Sequence, residues 1–105
     1  MSQQTMNYLR DCLPIFEMLG DENRQNIAIL LFANDRLNVG ELTDMIHLSR
    51  PAVSHHLKLM LYAELVEVAQ EGKERYYRLK AEATLQRLKN LTNSLENDIK
   101  NRESK

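Results

Sequence analysis

Arg50, Pro51, Ser54, His55 and Lys58 follow one another at steps of one, three, one and three residues. On an α-helix that spacing gathers side chains on one side. The set joins short polar groups to two cations. A guanidinium and an ammonium make charge-assisted hydrogen bonds to phosphate oxygens, and a hydroxyl or an imidazole can donate to or accept from the edge of a nucleobase. Farther along, Lys73 and Arg75 follow Gly72 at what reads as the tip of a turn. There they can meet phosphate or an adjacent minor groove. The chemistry on offer is contact with nucleic acid.

Other chemistries are poorly provided for. Cys12 is the one cysteine, so an intrachain disulfide is excluded. It is expected to be a small buried apolar residue; the alternatives are a bridge between two subunits or modification as a lone thiol. His55 and His56 are adjacent and point about 100° apart on a helix, so they do not share an ion within one subunit. His47 reads as a turn residue. There is no Gly-rich phosphate loop and no Ser/His/Asp or Cys/His arrangement, and Asp11, Glu17, Glu71 and Glu74 are scattered on what read as solvated faces. No catalytic residue, metal or cofactor is expected, and the chain does not read as an enzyme.

The elements that must position the polar set can be read from caps and periodicity. Asn38 can cap a helix while Glu41 reaches back to it, a capping-box variant. Leu42, Met45 and Ile46 then recur at helical spacing. His47 and Leu48 make a turn, Ser49 is an N-cap, and Pro51 suits a first turn. The second helix is expected to end near Ala63. Its inward side is Val53, Leu57, Met60 and Leu61, and the DNA-facing set lies opposite. Leu65-Val66-Glu67-Val68 and Tyr76-Tyr77-Arg78-Leu79 are β-type runs around the turn-prone Glu71-Gly72-Lys73-Glu74. His55 is therefore expected to contact base or phosphate, and His56 to pack, partly buried, against this hairpin. Two helices, a turn and a hairpin in this order form a winged helix-turn-helix.

Leu19-Gly20-Asp21-Glu22-Asn23-Arg24, Val39-Gly40-Glu41-Leu42, Leu48-Ser49, Val53-Ser54-His55-His56-Leu57, Leu65-Val66, and Glu71-Gly72 followed by Tyr76-Tyr77-Arg78-Leu79 resemble the ArsR/SmtB repressors. The similarity covers roughly residues 15–80, with the flanking helices also fitting. The resemblance implies a homodimeric winged-helix repressor that leaves its operator when an inducer, often a metal ion, binds. One metal site type of that family uses two cysteines in the first helix of the motif, where this chain has Asn38 and Gly40. Another uses ligands at the positions of Ala81, Ala83, Ser94 and Asn97. All are missing here.

At 105 residues the chain reads as one domain burying about two-thirds of its unfolded surface. Residues 38–63 are the expected helix-turn-helix, 65–79 the wing, and 1–20 and 81–105 dimerisation helices. Tyr8, Leu9, Cys12, Leu13, Phe16 and Leu19 form one apolar stripe, which Pro14 is expected to break into two pieces. Asp21 is expected to cap the next helix, with Ile27, Leu30 and Leu31 inward. Leu85, Leu88, Leu91, Leu95 and Ile99 give the last helix a stripe that needs another helix. By the resemblance its partner is a second subunit, through Leu9, Leu13, Phe16, Leu88, Leu91, Leu95 and Ile99; the alternative is packing on its own body.

The net charge is −1, yet residues 50–80 hold six Lys or Arg against four Asp or Glu, while residues 1–49 hold three against seven. A modest basic excess therefore coincides with the expected DNA surface. No apolar run is long enough for a membrane span and the polar start lacks a secretory h-region, so a cytoplasmic location without membrane contact is expected. The expected partners are double-stranded DNA, a second copy of the chain and a small-molecule inducer. The competing reading is a winged-helix module for protein interaction that does not bind DNA.

Overall fold

Side-chain caps start four of the helices. The structure, a computed structural model, describes residues 1–103, so Ser104 and Lys105, at the end of the expected last helix, lie outside the described residues. Helix α1 (Gln3–Leu19) begins with Ser2 accepting from the Thr5 N–H, and α2 (Glu22–Asn34) with Asp21 accepting from the Arg24 N–H. A two-residue strand β1 (Leu37–Asn38) precedes α3 (Val39–Met45). Asn38 Oδ1 accepts from the Glu41 N–H at 2.8 Å and Glu41 Oε1 accepts from the Asn38 N–H at 3.0 Å, which completes the capping box. Ser49 caps α4 (Arg50–Tyr62), with Pro51 in its first turn. Strands β2 (Val66–Glu71) and β3 (Glu74–Leu79) and helix α5 (Ala81–Glu103) follow.

The end of α4 is as well defined as its start. Glu64 N–H donates to the Leu61 carbonyl and Leu65 N–H to the Met60 carbonyl, with Glu64 at φ 61. This is a Schellman motif, including the accompanying contact between apolar residues, because Met60 and Leu65 are both buried. A glutamate occupies the left-handed position that glycine normally takes.

The sheet has three strands in the order β1-β3-β2, all antiparallel. The two-stranded hairpin read from sequence is therefore extended by Leu37 pairing with Tyr77 and Asn38 with Tyr76. Gly72 takes φ +61 at the first central position of the hairpin turn. Val53, Leu57 and Met60 of α4 lie in one core with Ile27, Leu31, Leu42, Leu65, Val66 and Tyr77.

Pro14 does not break the first helix: α1 is continuous across it. The missing N–H forfeits the bond to the carbonyl of Arg10, an exposed residue that water can reach. Cys12, Ile15 and Met18, all buried, hold both sides of Pro14 against the core. The single apolar stripe expected on α1 is also divided. Cys12 turns inward, whereas Leu13 (50% exposed) and Phe16 (47%) face outward.

Helix α5 packs along α1 of the same chain, and Leu88 and Leu91 are half-buried against the core. The far ends of the two helices are joined by polar groups. Thr5, fully buried, shares a hydrogen bond with Ser94 and donates to Asp98 Oδ2 at 2.7 Å, which also accepts from the Ser2 N–H at 3.0 Å. Those bonds, the Ser2 N–H first, lower the Asp98 pKa.

Two measurements check these features. Glu64→Gly relieves the left-handed strain and should raise stability by about 0.5–1 kcal/mol in denaturant unfolding. A lowered Asp98 pKa contributes stability that is full above the ordinary carboxylate value of roughly 4 and is lost as pH falls through the lower folded value. Asp98→Asn should therefore lower stability near neutral pH and reduce its loss on acidification, read as melting temperature against pH.

Candidate nucleic-acid interface

Because Val53, Leu57 and Met60 point into the core, the opposite arc of α4 must face out. Arg50, Pro51, Ser54, His55 and Lys58 are all exposed there, as are Lys73 and Arg75 on the hairpin. The fold brings five of the seven together. Arg50, Ser54 and Lys58 of α4 and Lys73 and Arg75 of the hairpin line one groove, which Val39, Leu61, Glu74 and Tyr77 also line. Pro51 and His55 sit on the exposed arc outside it. Sequence periodicity missed those four further lining residues, whose contributions come from separate elements.

Among the described residues, none of Arg50, Lys58, Lys73 and Arg75 enters an ion pair; the pairs found there use Arg36, Arg78 and Lys100. Four cations face a groove whose one acidic lining residue, Glu74, pairs with none of them, which leaves their donors available for phosphate oxygens. Tyr62 extends the same arc. It lies four residues after Lys58 and is 92% exposed, and that spacing was the signal that could have found it.

The histidines divide as their spacing required. The rings of His55 and His56 have centroids 6.2 Å apart and are tilted by 52°. His56, expected to be partly buried against the wing, is half-buried and has its Nδ1 3.4 Å from Arg24 Nη1 of α2. Arg24 also donates from Nε to the Met18 carbonyl at 2.8 Å, so it closes the end of α1 and draws His56 toward α2. His47 lies in the bend between α3 and α4.

Cys12 is fully buried, and its thiol donates to the Arg87 carbonyl at 3.3 Å. Burial raises its pKa, opposed by the positive charge of Arg87, which makes it a weak nucleophile. Arg87 Nη1 reaches the Ala63 carbonyl at the end of α4 at 3.4 Å, and its Nη2 reaches the Asp11 carbonyl. Two positions where the resemblance would place metal ligands hold structural bonds instead: Asn38 caps α3 and Ser94 bonds Thr5. Among the described residues no three His, Cys, Asp or Glu gather as metal ligands, and no helix is long and apolar enough to cross a membrane.

The outer face of the hairpin is bound to the turn between α2 and β1. Arg36 pairs with Glu71 and lies over the Tyr76 ring, its Cζ 4.3 Å from the centroid, and Arg78 pairs with Asp35 at 3.1 Å. The Glu71 carboxylate raises the Arg36 pKa further above its already high value.

A family model described as bacterial regulatory protein, arsR family, matches residues 21–68. That stretch runs from the cap of α2 through α4 and into β2. The transcriptional repressor SdpR of Bacillus subtilis (strain 168) is 27% identical over 88 residues, spanning 81% of this chain and 97% of that protein. An uncharacterized HTH-type transcriptional regulator of Methanocaldococcus jannaschii is 33% identical over 63 residues, 60% of this chain and 71% of that protein. In fold, the chain is similar to an ArsR-like transcriptional regulator from Rhodococcus sp. RHA1, with a TM-score of 0.78 at 24% identity, covering 91% of this chain and 89% of that one.

Proposed function

This chain belongs to the arsR family of bacterial regulatory proteins, and from that premise we propose that it is a homodimeric repressor that binds a roughly palindromic operator and leaves it when an inducer binds. It is a transcription regulator and not an enzyme. The observation that carries the reading is the groove between α4 and the hairpin, where Arg50, Lys58, Lys73 and Arg75 stand beside Ser54 without ion-pair partners among the described residues. Helix α4 is the recognition helix. Ser54 and His55 read base edges, Pro51 supplies an apolar contact at the helix entrance, and the four cations hold phosphates.

The ends of the chain support the dimer. Leu13 and Phe16 on α1 and Leu85, Leu95 and Ile99 on α5 are exposed apolar side chains on adjacent helices. On α5, Leu88 and Leu91 of the stripe pack on the chain's own core, which leaves Leu85, Leu95 and Ile99 exposed for a second helix. In this reading residues 1–20 and 81–103 supply the dimerisation surface, 38–63 the reading unit and 65–79 the wing. A dimer spaces two recognition helices for successive major grooves about 34–36 Å apart. It also doubles the phosphate contacts of a chain whose net charge is −1. An inducer acts in this scheme by shifting that spacing.

The test is enrichment of bound fragments from the source genome by the purified protein. A palindromic site is the expected result, and failure to enrich any sequence at low salt would leave the protein-interaction reading. On that site, Ser54→Ala and His55→Ala should each weaken binding by roughly 1–3 kcal/mol per half-site while sparing binding to mixed-sequence DNA. Lys58→Ala should weaken both and reduce the salt slope by about one per half-site.

A further inference from the structure

Asp35 has φ 64 and ψ −56, and the Arg36 N–H donates to the Asn34 carbonyl at 2.7 Å. This is a γ-turn with positive φ at its centre, a strained conformation for any residue with a Cβ. The strain brings two side chains onto the outer face of the wing. Asp35 pairs with Arg78, and Arg36 crosses the Tyr76 ring to pair with Glu71 on β2. Arg36 thereby ties the end of β1 to both hairpin strands.

Solvent-exposed ion pairs and a surface cation–π contact return free energy of the same order as such a turn costs. Net stability therefore does not account for the arrangement. Its position does. Strand β1 pairs with only Tyr76 and Tyr77, so toward the tip the hairpin is joined to the body by no backbone ladder. Side chains alternate along β3, so Tyr76 on the outer face sets the roll of its neighbours Arg75 and Tyr77, which line the groove.

We propose that Arg36 is a positioning residue for DNA binding: by clamping Tyr76 and Glu71 from the outer face, it holds the wing so that Lys73 and Arg75 face the recognition helix. The inference rests on the DNA-binding reading for its consequence, and on the DNA-free protein for its mechanics. Arg36 is itself directed away from the groove, so its removal acts through the wing cations.

The experiment compares the full-length chain with Arg36→Ala, with Arg36→Lys, which keeps the charge and loses the planar stack, and with Lys73→Ala/Arg75→Ala. Amide hydrogen exchange without DNA should show Ala69–Arg75 exchanging at least several-fold faster in Arg36→Ala, with α1 and α5 unchanged and Arg36→Lys intermediate. On the selected genomic fragment, Arg36→Ala should weaken binding about tenfold and lower the salt slope by about two per half-site, since each lost phosphate contact removes about 0.9. It should add little in the Lys73→Ala/Arg75→Ala background. A slope loss of about one that adds fully to that background would show direct phosphate contact by Arg36 and overturn the positioning role. Unchanged tip exchange would overturn the clamp itself. Faster tip exchange in a protein that enriches no DNA would retain the clamp and remove the DNA-binding reading.

Discussion

The burial of one side of α4 is the constraint on which the candidate interface depends. Val53, Leu57 and Met60 are removed from water against α2, α3 and the base of the sheet. Fully burying an aliphatic side chain contributes about 1.5–3 kcal/mol, so the roll of this helix is fixed by several such contributions acting together. A helix has one free angle about its axis. Once the inward stripe is chosen, Ser54, His55, Lys58 and Tyr62 have no direction left but outward. The Ser49 cap and the Glu64 turn fix where that arc begins and ends.

The wing obeys the same logic with a period of two. Val66, Val68, Leu79 and Tyr77 share the inner face, so the next residues toward the tip on that face, Gln70 and Arg75, continue toward the groove. The acidic residues Glu67 and Glu71 fall on the outer face, where Glu71 is matched by Arg36. A chain with a net charge of −1 can still present a basic groove, because four cations meet there with Glu74 as the one acidic residue among the described lining, while Glu71 and Asp35 are matched by Arg36 and Arg78 on the outer face. Whole-chain charge was a poor guide to this surface and regional charge a better one.

Helices α1 and α5 are joined by two different chemistries along their length. Near the body the contact is apolar, with Cys12 buried and Leu88 and Leu91 half-buried. At the far end it is polar, with Ser2, Thr5, Ser94 and Asp98 satisfying one another. The buried Thr5 hydroxyl carries no desolvation penalty it cannot offset, because it both meets Ser94 and donates to a carboxylate. Arg87 adds a link from this pair to the last turn of α4 through the Ala63 carbonyl.

The starts of α2, α3 and α4, the exposed arc of α4 and the two-stranded hairpin were legible in the sequence, because each rests on residues a few positions apart. Asn38 with Glu41, Ser49 with Ala52, and Val53 with Leu57 are contacts that hardly depend on the remainder of the chain. Tertiary structure decided what depends on distant partners. It kept α1 continuous through Pro14 by burying residues on both sides, and it divided an apparently single stripe into Cys12 inward and Leu13 and Phe16 outward. It turned His56 to Arg24, 32 residues away, and brought Arg36 to Glu71 across 35 residues. Periodicity reports which side chains share a face, whereas the surface that covers that face belongs to another part of the chain, and only packing assigns it.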